Sequence, residues 1–446
     1  MTVTSPRTKV EQALSGSFEA VAAQLPGGHA AAEARKAAIG TFAALGLPHR
    51  RIEQWKWTDL RSALKEALPP AVGGAVAISA AELDAALEEL AAIDAHRMAF
   101  VDGRHVPELA TPGKIPGLEI TPLAEALLRS DGAGDRLTGQ SIAGHEAVIA
   151  LNTAFMSDGA VIRLAKGARL GKPLLLIFAR KAEQGRLVTV RNIIALSEGA
   201  QATVIEVHIA LPGAAAGQTN ALTDVALGNA ARLAHIKCTL AGDGASHLAT
   251  WLTTLGQAST YHGFQLTAGS GLVRNNVFAT FKGEGAKLDL AGTFLGRAVE
   301  HIDTTLFIDH AVPGCASREL FKGVLADRAH GVFQGKVIVR PNAQKSDGKQ
   351  MAQALMLSAD AEFDSKPELE IHADDVACGH GSTAAEIDED LLFYMRARGI
   401  PLAAARALLI ESFIGEAIDK VEDERLRAAL SKMAKRRLAG LTAAQP

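Results

Sequence analysis

Large aromatic side chains are scarce in this sequence of 446 residues. Phe, Trp and Tyr together make up 4% of it, with only 3 Trp and 2 Tyr. This composition disfavours a core built around large rings. Alanine and glycine are abundant instead, and such small residues favour close, repetitive packing of one chain segment on the next. Hydrophobic residues at 48% and charged residues at 21% are typical of a folded globular protein.

An excess of one charge is also lacking. Lys and Arg number 46 against 49 Asp and Glu, so the net charge of −3 offers no electrostatic footprint for nucleic acid. Cysteine is rare, since only Cys238, Cys315 and Cys378 occur and they lie far apart. An odd, sparse set argues against a disulfide framework and for a reducing compartment. We therefore expect a cytoplasmic protein.

Long hydrophobic runs are missing as well. The densest apolar run, residues 174–179, has only the length of a strand, whereas a membrane-spanning helix needs about 20 apolar residues. Residues 1–14 contain no apolar core and no cleavage pattern of a signal peptide. The sequence therefore predicts no membrane association.

Some segments of the sequence resemble enzyme motifs but do not match them. Residues 167–173 imitate a phosphate-binding loop, but they have one residue too few between the glycines, and Pro173 stands where a hydroxyl should bind magnesium. His145 and Glu146 are not followed by a second histidine at metalloprotease spacing, and no G-x-S-x-G sequence occurs. We therefore do not expect the chain to be an ATPase, a protease or an esterase.

The first part of the chain, residues 1–147, has a helical pattern followed by a connector. Between residues 8 and 95, apolar side chains recur every three or four positions, as on one face of a helix. A second helix is predicted for residues 30–45, ended by Gly46 and Pro48. Residues 100–140 are mixed and contain Pro and Gly, which is typical of a connector.

From residue 148 to 383 the pattern becomes that of short strands. Runs of β-type residues occur at 161–164, 174–178, 187–195, 202–208, 222–227, 232–240, 247–256, 260–266, 272–281, 287–295, 301–309, 318–325, 331–339 and 369–373. Small-residue turns precede many of them, at 167–170, 199–202, 228–231, 285–288 and 358–361. Repeated turn–strand units without helical crossovers favour a stacked solenoid over a doubly wound α/β sheet. A β-sandwich with irregular loops is the rival.

The helical pattern returns in residues 384–446. Asp388 can cap a first helix that ends at Gly399, and Pro401 can begin a second. The second helix carries an apolar stripe, which consists of Leu408, Ile410, Phe413, Ile414, Ala417, Ile418 and Val421. Residues 422–438 supply a third, strongly charged amphipathic helix. We expect a small helical module at the end of the solenoid.

One segment near this boundary carries candidate metal ligands. Leu369, Ile371 and Ala373 alternate with polar residues, and residues 374–375 break the alternation, as at a corner or bulge. In an extended chain, residues two positions apart project on the same side.

Cys378 and His380 follow the corner with this spacing. A thiolate beside an imidazole can bind zinc, copper or iron, and the glycines around His380 allow a partner to approach closely. Two ligands are too few for a metal cluster, so others would come from another strand or chain. The alternative is that Cys378 is a small buried hydrophobe and His380 a turn residue.

Several motifs together resemble the SufB/SufD family of the SUF iron–sulfur cluster assembly system. The resemblance covers almost the whole chain. It rests on EQWKWTDL at 53–60, with Trp57 in place of the usual Tyr, NAQKSD at 342–347, KPELEI at 366–371, DDV at 374–376, CGHG at 378–381 and DEDLLFYMRARGI at 388–400. The N-terminal motif, the shorter length and the lack of an N-terminal cysteine cluster favour the SufD branch over SufB.

The resemblance implies a right-handed parallel β-helix between helical ends. It implies a scaffold rather than an enzyme, which pairs with SufB through the end of the β-helix and holds the SufC ATPase through its C-terminal helices. A transient iron–sulfur cluster or iron would be shared with SufB, with His380 and Cys378 as ligands, and the isolated chain would hold no tight cofactor. When alone, the chain could self-associate.

Two other functions stay open at this point. A SufB-like primary scaffold would receive sulfur itself, but this needs an activated thiolate, and three scattered cysteines offer little relay. A β-helix could also be a polysaccharide-active enzyme, which would need exposed aromatic platforms beside its carboxylates. Only Trp251 and Tyr261 lie in the predicted solenoid.

Overall fold

The computed structural model describes residues 7–73, 77–111, 113–129, 142 and 144–442. Residues 130–140 of the predicted connector lie outside this part. The α-helices are α1 (Lys9–Val21), α2 (His29–Leu45), α3 (Leu60–Ala63), α4 (Ala80–Leu87), α5 (Leu123–Ala126), α6 (Glu146–Phe155), α7 (Glu389–Ala397), α8 (Leu402–Ile418) and α9 (Glu424–Thr442). Short 3₁₀ helices occur at Ala22–Gln24, Glu53–Trp55, Glu88–Ala92 and Pro107–Leu109.

The strands begin before the predicted solenoid and continue to its end. They are β1 (His96–Val101), β2 (Arg104–His105), β3 (Leu118–Pro122), β4 (Ala160–Leu164), β5 (Leu174–Arg180), β6 (Leu187–Leu196), β7 (Gln201–Ala210), β8 (Gln218–Leu227), β9 (Arg232–Leu240), β10 (Gly242–Leu255), β11 (Thr260–Ala268), β12 (Ser270–Phe281), β13 (Lys287–Gly296), β14 (His301–His310), β15 (Ala316–Leu325), β16 (His330–Val339), β17 (Asp347–Met356), β18 (Glu362–Ile371) and β19 (Ala377–Ala385).

From β4 onward, successive strands alternate between two sheets. In the described part of the chain, sheet 1 has the order β19-β17-β15-β13-β11-β9-β7-β5-β1-β2, and sheet 2 has the order β18-β16-β14-β12-β10-β8-β6-β4-β3. Two strands therefore make one coil, and the sixteen strands from β4 to β19 make about eight turns. The prediction of a parallel β-solenoid is confirmed.

Regular register stacks the coils. Ala316 pairs with Lys287 of the coil before and Asp347 of the coil after, 29 and 31 residues away. Neighbouring strands are parallel except for two pairs at the N-terminal end, β1–β2 and β3–β4. A sandwich of antiparallel sheets, the rival architecture, is excluded.

A column of left-handed backbone residues marks one corner of the solenoid. Gly199 has φ +66° and Ala230 has φ +54°, and each donates its backbone N–H to a carbonyl of the next coil, at 2.8 Å from Asn229 and 2.7 Å from Gln257. The same bond recurs at Gly314 and Lys345, with lengths of 2.9 and 2.7 Å. Gly199 and Ala230 lie in two of the predicted small-residue turns, and glycine adopts positive φ without the steric cost that alanine meets.

Three apolar layers hold the molecule together. The interior of the solenoid is filled from both sheets, for example by Leu233 and Val277. The outer face of sheet 2 is covered by α1, α2 and α6, through residues such as Phe18 and Leu248. The outer face of sheet 1 is covered by α4, α8 and α9. Because each helical layer buries apolar side chains on an outer sheet face, the helices stabilise the solenoid.

The N-terminal region differs in detail from the sequence pattern. β1 lies in the predicted helical region and connector, yet it pairs in parallel with β5 and so belongs to sheet 1. Residues 148–155, which the pattern assigns to the β core, instead form most of the buried helix α6. A short apolar segment does not separate a strand from a buried helix by pattern alone. The division into domains at residues 147 and 383 remains a prediction.

The C-terminal helices follow the predicted stop and start signals. Asp388 caps α7 by accepting hydrogen bonds from two backbone N–H groups, and Gly399 follows the helix with φ +84°. Pro401 directly precedes α8. Most of the predicted apolar stripe on α8 packs inward, including Ile410 and Ile414. Leu408 does not follow this prediction, because 48% of its surface is exposed.

Candidate functional site at the open end of the solenoid

The last coil, which consists of β18 and β19, leaves the solenoid open at one end. β18 ends sheet 2 and β19 ends sheet 1, so in the described part of the chain no further strand pairs with either outer edge. The side chains here are half-buried or exposed, in contrast to the buried strands before them. Unpaired strand edges offer backbone N–H and C=O groups to another chain.

The structure brings the two predicted ligands together on β19. The corner predicted at residues 374–375 lies between β18 and β19. Cys378 and His380 follow it within the extended strand, so they project on the same side. The alternative that His380 is a turn residue is therefore wrong.

Cys378 faces the interior of the solenoid. It is half-buried, packs against the interior apolar cluster and lies in register with Gly348. Burial raises the pKa of its thiol, although a hydrogen bond with the backbone of Gly348 opposes this. The thiol is therefore protonated at neutral pH, which makes it a weak nucleophile until a metal or a partner changes its surroundings.

His380 is exposed at the end of a column of buried polar residues. It pairs in register with Gln350, which itself pairs with Glu319. Among the described residues, the imidazole has no hydrogen-bond partner. Adding a Cβ at Gly379 would meet no atom within 4 Å, so one side of the histidine backbone is open to solvent. A partner can therefore approach this residue from the side of Gly379.

The described residues offer few metal ligands of the usual kinds in any one place. Among these residues, no group of three or more His, Cys, Asp or Glu side chains is placed to hold a metal ion. Cys378 provides a soft thiolate donor and His380 an imidazole donor of intermediate softness, and both kinds suit iron.

The remaining thiols and the large aromatic residues of the solenoid are buried. Cys238 and Cys315 both lie in the core, and burial raises the pKa of Cys238 to about 12. Trp251 and Tyr261 are 1% and 0% exposed and face the interior. Neither ring can serve as a platform for a sugar, so the polysaccharide-active alternative loses its binding surface.

The N-terminal motif, residues 53–60, packs against the outer face of sheet 2. The guanidinium of Arg274 lies 3.8 Å from the centre of the Trp55 ring and forms a buried ion pair with Asp303. It also donates a hydrogen bond of 2.6 Å to the carbonyl of Gln54. Thr58 hydrogen-bonds to Asp303. Sequence reasoning noticed the motif but missed this role, because its partners lie more than 200 residues away.

An exposed apolar patch covers α7 and the adjoining side of α8. The patch consists of Leu391 (49% exposed), Phe393 (74%), Tyr394 (55%), Leu402 (42%) and Leu408 (48%). Five exposed large apolar side chains on two consecutive helices are unusual on a protein surface and are typical of a protein–protein contact. We call this set the α7 patch.

Similarity to known proteins covers nearly the whole chain. Residues 178–413 match the family described as the SUF system FeS cluster assembly SufBD core domain, and residues 16–176 match the SufBD protein N-terminal region. The iron–sulfur cluster assembly protein SufD of Escherichia coli is 31% identical over 398 residues, which cover 89% of this chain and 90% of that protein. An iron–sulfur cluster assembly SufBD family protein of Synechocystis is 33% identical over 403 residues, covering 87% and 86%.

The fold and its open end define a two-sheet parallel β-solenoid with helical layers on both outer faces. These similarities identify the family: the chain belongs to the SufBD proteins of iron–sulfur cluster assembly. Within that family it is a SufD-type SUF protein. Among the helices in the described residues, none is long and apolar enough to cross a membrane.

Proposed function

We propose that this chain is a scaffold subunit of the SUF complex, which pairs with SufB and binds the SufC ATPase while an iron–sulfur cluster is built as the product. The observation that carries the proposal is the open last coil with Cys378 and His380 on its edge strand. ATP hydrolysis would belong to SufC. Three unpaired thiols suit a reducing compartment, and we place the complex in the cytoplasm.

Pairing with SufB would use the strand edges of the last coil. Two open edges at the end of a solenoid support strand addition, in which main-chain hydrogen bonds give affinity and the side chains between them give specificity. Ile371, at the end of β18, is 43% exposed and adds apolar area beside the edges. The two solenoids would then continue each other end to end.

Binding of SufC would use the α7 patch. α8 and α9 are anchored on sheet 1 by buried residues such as Ile414 and Leu430, so they present α7 on a rigid base. Aromatic residues carry much of the energy in protein interfaces, and Phe393 and Tyr394 are the most exposed members of the patch.

Variants of the α7 patch test the SufC contact. Phe393→Asp should weaken SufC binding by at least about ten-fold, because it replaces the most exposed aromatic side chain of the patch by a charge. Val299→Asp is a matched control, since Val299 is 64% exposed but lies outside the patch. Equal SufC affinity of the Phe393→Asp and wild-type chains would contradict this docking site. Deleting residues 386–446 is a poorer test, because it would uncover the apolar face of sheet 1.

Cluster assembly would use Cys378 and His380 as half of a site. SufB would supply the remaining ligands when the two chains meet, since two ligands leave coordination positions to water or thiol. Iron would therefore bind weakly to these two residues in the isolated chain and more tightly in the complex.

The decisive experiment measures iron and sulfide on complexes assembled anaerobically. His380→Ala should leave folding and partner binding intact and lower cluster content, with a milder effect for Cys378→Ala because its burial also has a packing role. His372→Ala is the matched control, since His372 is exposed in the neighbouring corner. Equal cluster content in the His380→Ala and wild-type complexes would remove His380 from the site.

A further inference from the structure

Four polar side chains are buried inside the solenoid, in coils close to its open end. They are His310, Ser317, Glu319 and Gln350, and each is 3% exposed or less. We call them the inner polar cluster. They come from three strands, β14, β15 and β17, of the coils that precede the last one.

Register connects the inner polar cluster with the candidate half-site. Glu319 pairs with Gln350, and Gln350 pairs with His380, so these three residues form one column on neighbouring strands of sheet 1. Ser317 stands in the adjacent inward column, where Gly348 separates it from Cys378. Neighbouring strands are about 4.8 Å apart, so the column descends about 10 Å from His380 to Glu319.

Most of the polar atoms of the cluster have no partner. In the part of the chain that the structure describes, neither side-chain oxygen of Glu319 takes part in a hydrogen bond, and neither amide atom of Gln350 does. The Nδ1 atom of His310 is also unpartnered, whereas its Nε2 atom lies 3.1 Å from the hydroxyl of Ser317. Each such buried group costs about 1–3 kcal/mol when it is left unsatisfied.

Two glycines, Gly335 and Gly348, lie beside these atoms. A Cβ at Gly335 of sheet 2 would lie 2.1 Å from the amide nitrogen of Gln350, so the Gln350 side chain fills the place of a missing side chain there. A Cβ at Gly348 would lie 3.5 Å from the Ser317 oxygen and 3.6 Å from the Cys378 sulfur. The bare backbone of Gly348 therefore leaves a gap between the cluster and the thiol of Cys378.

An aromatic ring packs against one member of the cluster. The Phe281 ring lies 4.5 Å from the His310 ring, measured between centroids. Phe281 is buried in the interior apolar cluster, so the interior around His310 is apolar. A ligand of the inner polar cluster would therefore enter from the open end.

We propose that the inner polar cluster binds one divalent first-row transition-metal ion, which enters past Cys378 and His380. A carboxylate, an amide carbonyl, a hydroxyl and an imidazole are oxygen and nitrogen donors that suit manganese, ferrous iron and cobalt. The identity of the natural ion as ferrous iron rests on the proposed function. The ion would then be held about two strands away from Cys378 and His380, and it would be used for the cluster that is built there.

The charge state of Glu319 agrees with this site. Burial raises the pKa of this carboxyl to about 8. Ser317 and Arg318 partly oppose this rise, although Ser317 makes no well-formed hydrogen bond to Glu319. A metal ion would take the place of the proton, so binding releases one proton to solvent.

The test uses the full-length chain with Cys378→Ala and His380→Ala, so that the half-site cannot hold the metal. Anaerobic titration with Co²⁺, followed by its visible absorption and by equilibrium dialysis, should find one bound ion. Adding Glu319→Gln should weaken this binding by at least about ten-fold, because it removes the only anionic ligand. Glu300→Gln is the matched control, since burial also raises the pKa of Glu300, to about 7, outside the cluster.

Each outcome separates this inference from the proposed function. One ion that depends on Glu319 supports the inner site, even where the assembled complex fails to build a cluster. No bound Co²⁺, or equal affinity with and without Glu319→Gln, overturns it, even where His380→Ala still lowers cluster content. Circular dichroism of each variant confirms that the chain is folded.

Discussion

Glu53 and Lys366 form an ion pair in which Lys366 Nζ lies 2.6 Å from Glu53 Oε1, although 313 residues separate them in the chain. Glu53 begins the N-terminal motif, and Lys366 lies in β18, an edge strand of the open end. Gln54, next to Glu53, also accepts hydrogen bonds from Arg274 and Gln334 of sheet 2. The N-terminal region is thus connected to the surface that we propose for SufB.

We expect the Glu53–Lys366 pair to orient the strand edge rather than to stabilise the fold. The Glu53 side chain is 71% exposed, and exposed ion pairs contribute little because solvent and salt screen them. Lys366→Met should leave the urea midpoint of unfolding nearly unchanged and weaken SufB binding. A large loss of stability, or unchanged SufB affinity, would contradict this view.

The Arg274–Asp303 pair should behave in the opposite way. Both side chains are 0% exposed, and Arg274 also contacts Trp55 and Gln54. Arg274→Met should lower the free energy of unfolding by about 3–5 kcal/mol, because it leaves the Asp303 charge buried without its main partner. The double variant Arg274→Met/Asp303→Leu should cost less than Arg274→Met alone. Chemical denaturation of the three chains measures this difference.

Local patterns favoured the solenoid over a β-sandwich, and the family resemblance implied a parallel β-helix, but neither predicted the contacts between distant segments. The alternation of a strand and the composition of a turn can each be recognised within a few consecutive residues. β1 was missed because its pairing with β5 is determined 78 residues later in the chain, by the start of the first full coil. The helix α6 was missed because it is buried on all sides and so lacks the one-sided apolar pattern of a surface helix.

The candidate site could be predicted only in part for the same reason. Cys378 and His380 are two residues apart, so sequence spacing alone places them on one side of a strand. Glu319 and Gln350 lie about 60 and 30 residues before His380, and a one-residue change of register would turn them outward. Only the three-dimensional register shows that they lie below His380.

The corner column predicts opposite effects for two similar substitutions. Gly199→Ala should destabilise the fold by about 1 kcal/mol, because an L-residue is disfavoured at φ +66° although its Cβ would meet no close atom. Ala230→Gly should not destabilise, and it should add up to about 1 kcal/mol, because φ +54° is already strained for alanine. Thermal unfolding compares both with the wild type. A loss of stability in both variants would contradict the assignment of strain.

Buried histidines inside the solenoid predict a loss of stability in mild acid. Burial lowers the pKa of His208 and, by more, that of His247, and Lys237 also lowers the pKa of His247. The unfolded chain therefore binds more protons than the folded chain below pH 6.5, so stability falls as the pH falls through this value. His247→Gln should flatten the profile between pH 6.5 and 5. A second loss, below pH 4.5, should remain, because hydrogen bonds from His208 and His235 outweigh burial and hold the pKa of Glu206 low.

Glu319 predicts the opposite dependence on pH. Its folded pKa of about 8 lies above the unfolded value of 4.5, chiefly because of burial, so the folded chain binds the extra proton between these values. The free energy of unfolding that Glu319 contributes is therefore complete below pH 4.5 and is lost as the pH rises through 8.

Replacement of this carboxyl by a permanently neutral amide should remove that loss. With chelator present, Glu319→Gln should be more stable than the wild type by on the order of 1–3 kcal/mol at pH 8.5 and about equal to it at pH 4.5. Glu300→Gln should show a smaller gain at pH 8.5, since the pKa of Glu300 is raised only to about 7, chiefly by burial. Urea denaturation at both pH values measures the differences. If Glu319→Gln is less stable than the wild type at pH 8.5, Glu319 is ionised and compensated in the folded chain, and the carboxyl cannot be the neutral, unpartnered group described above.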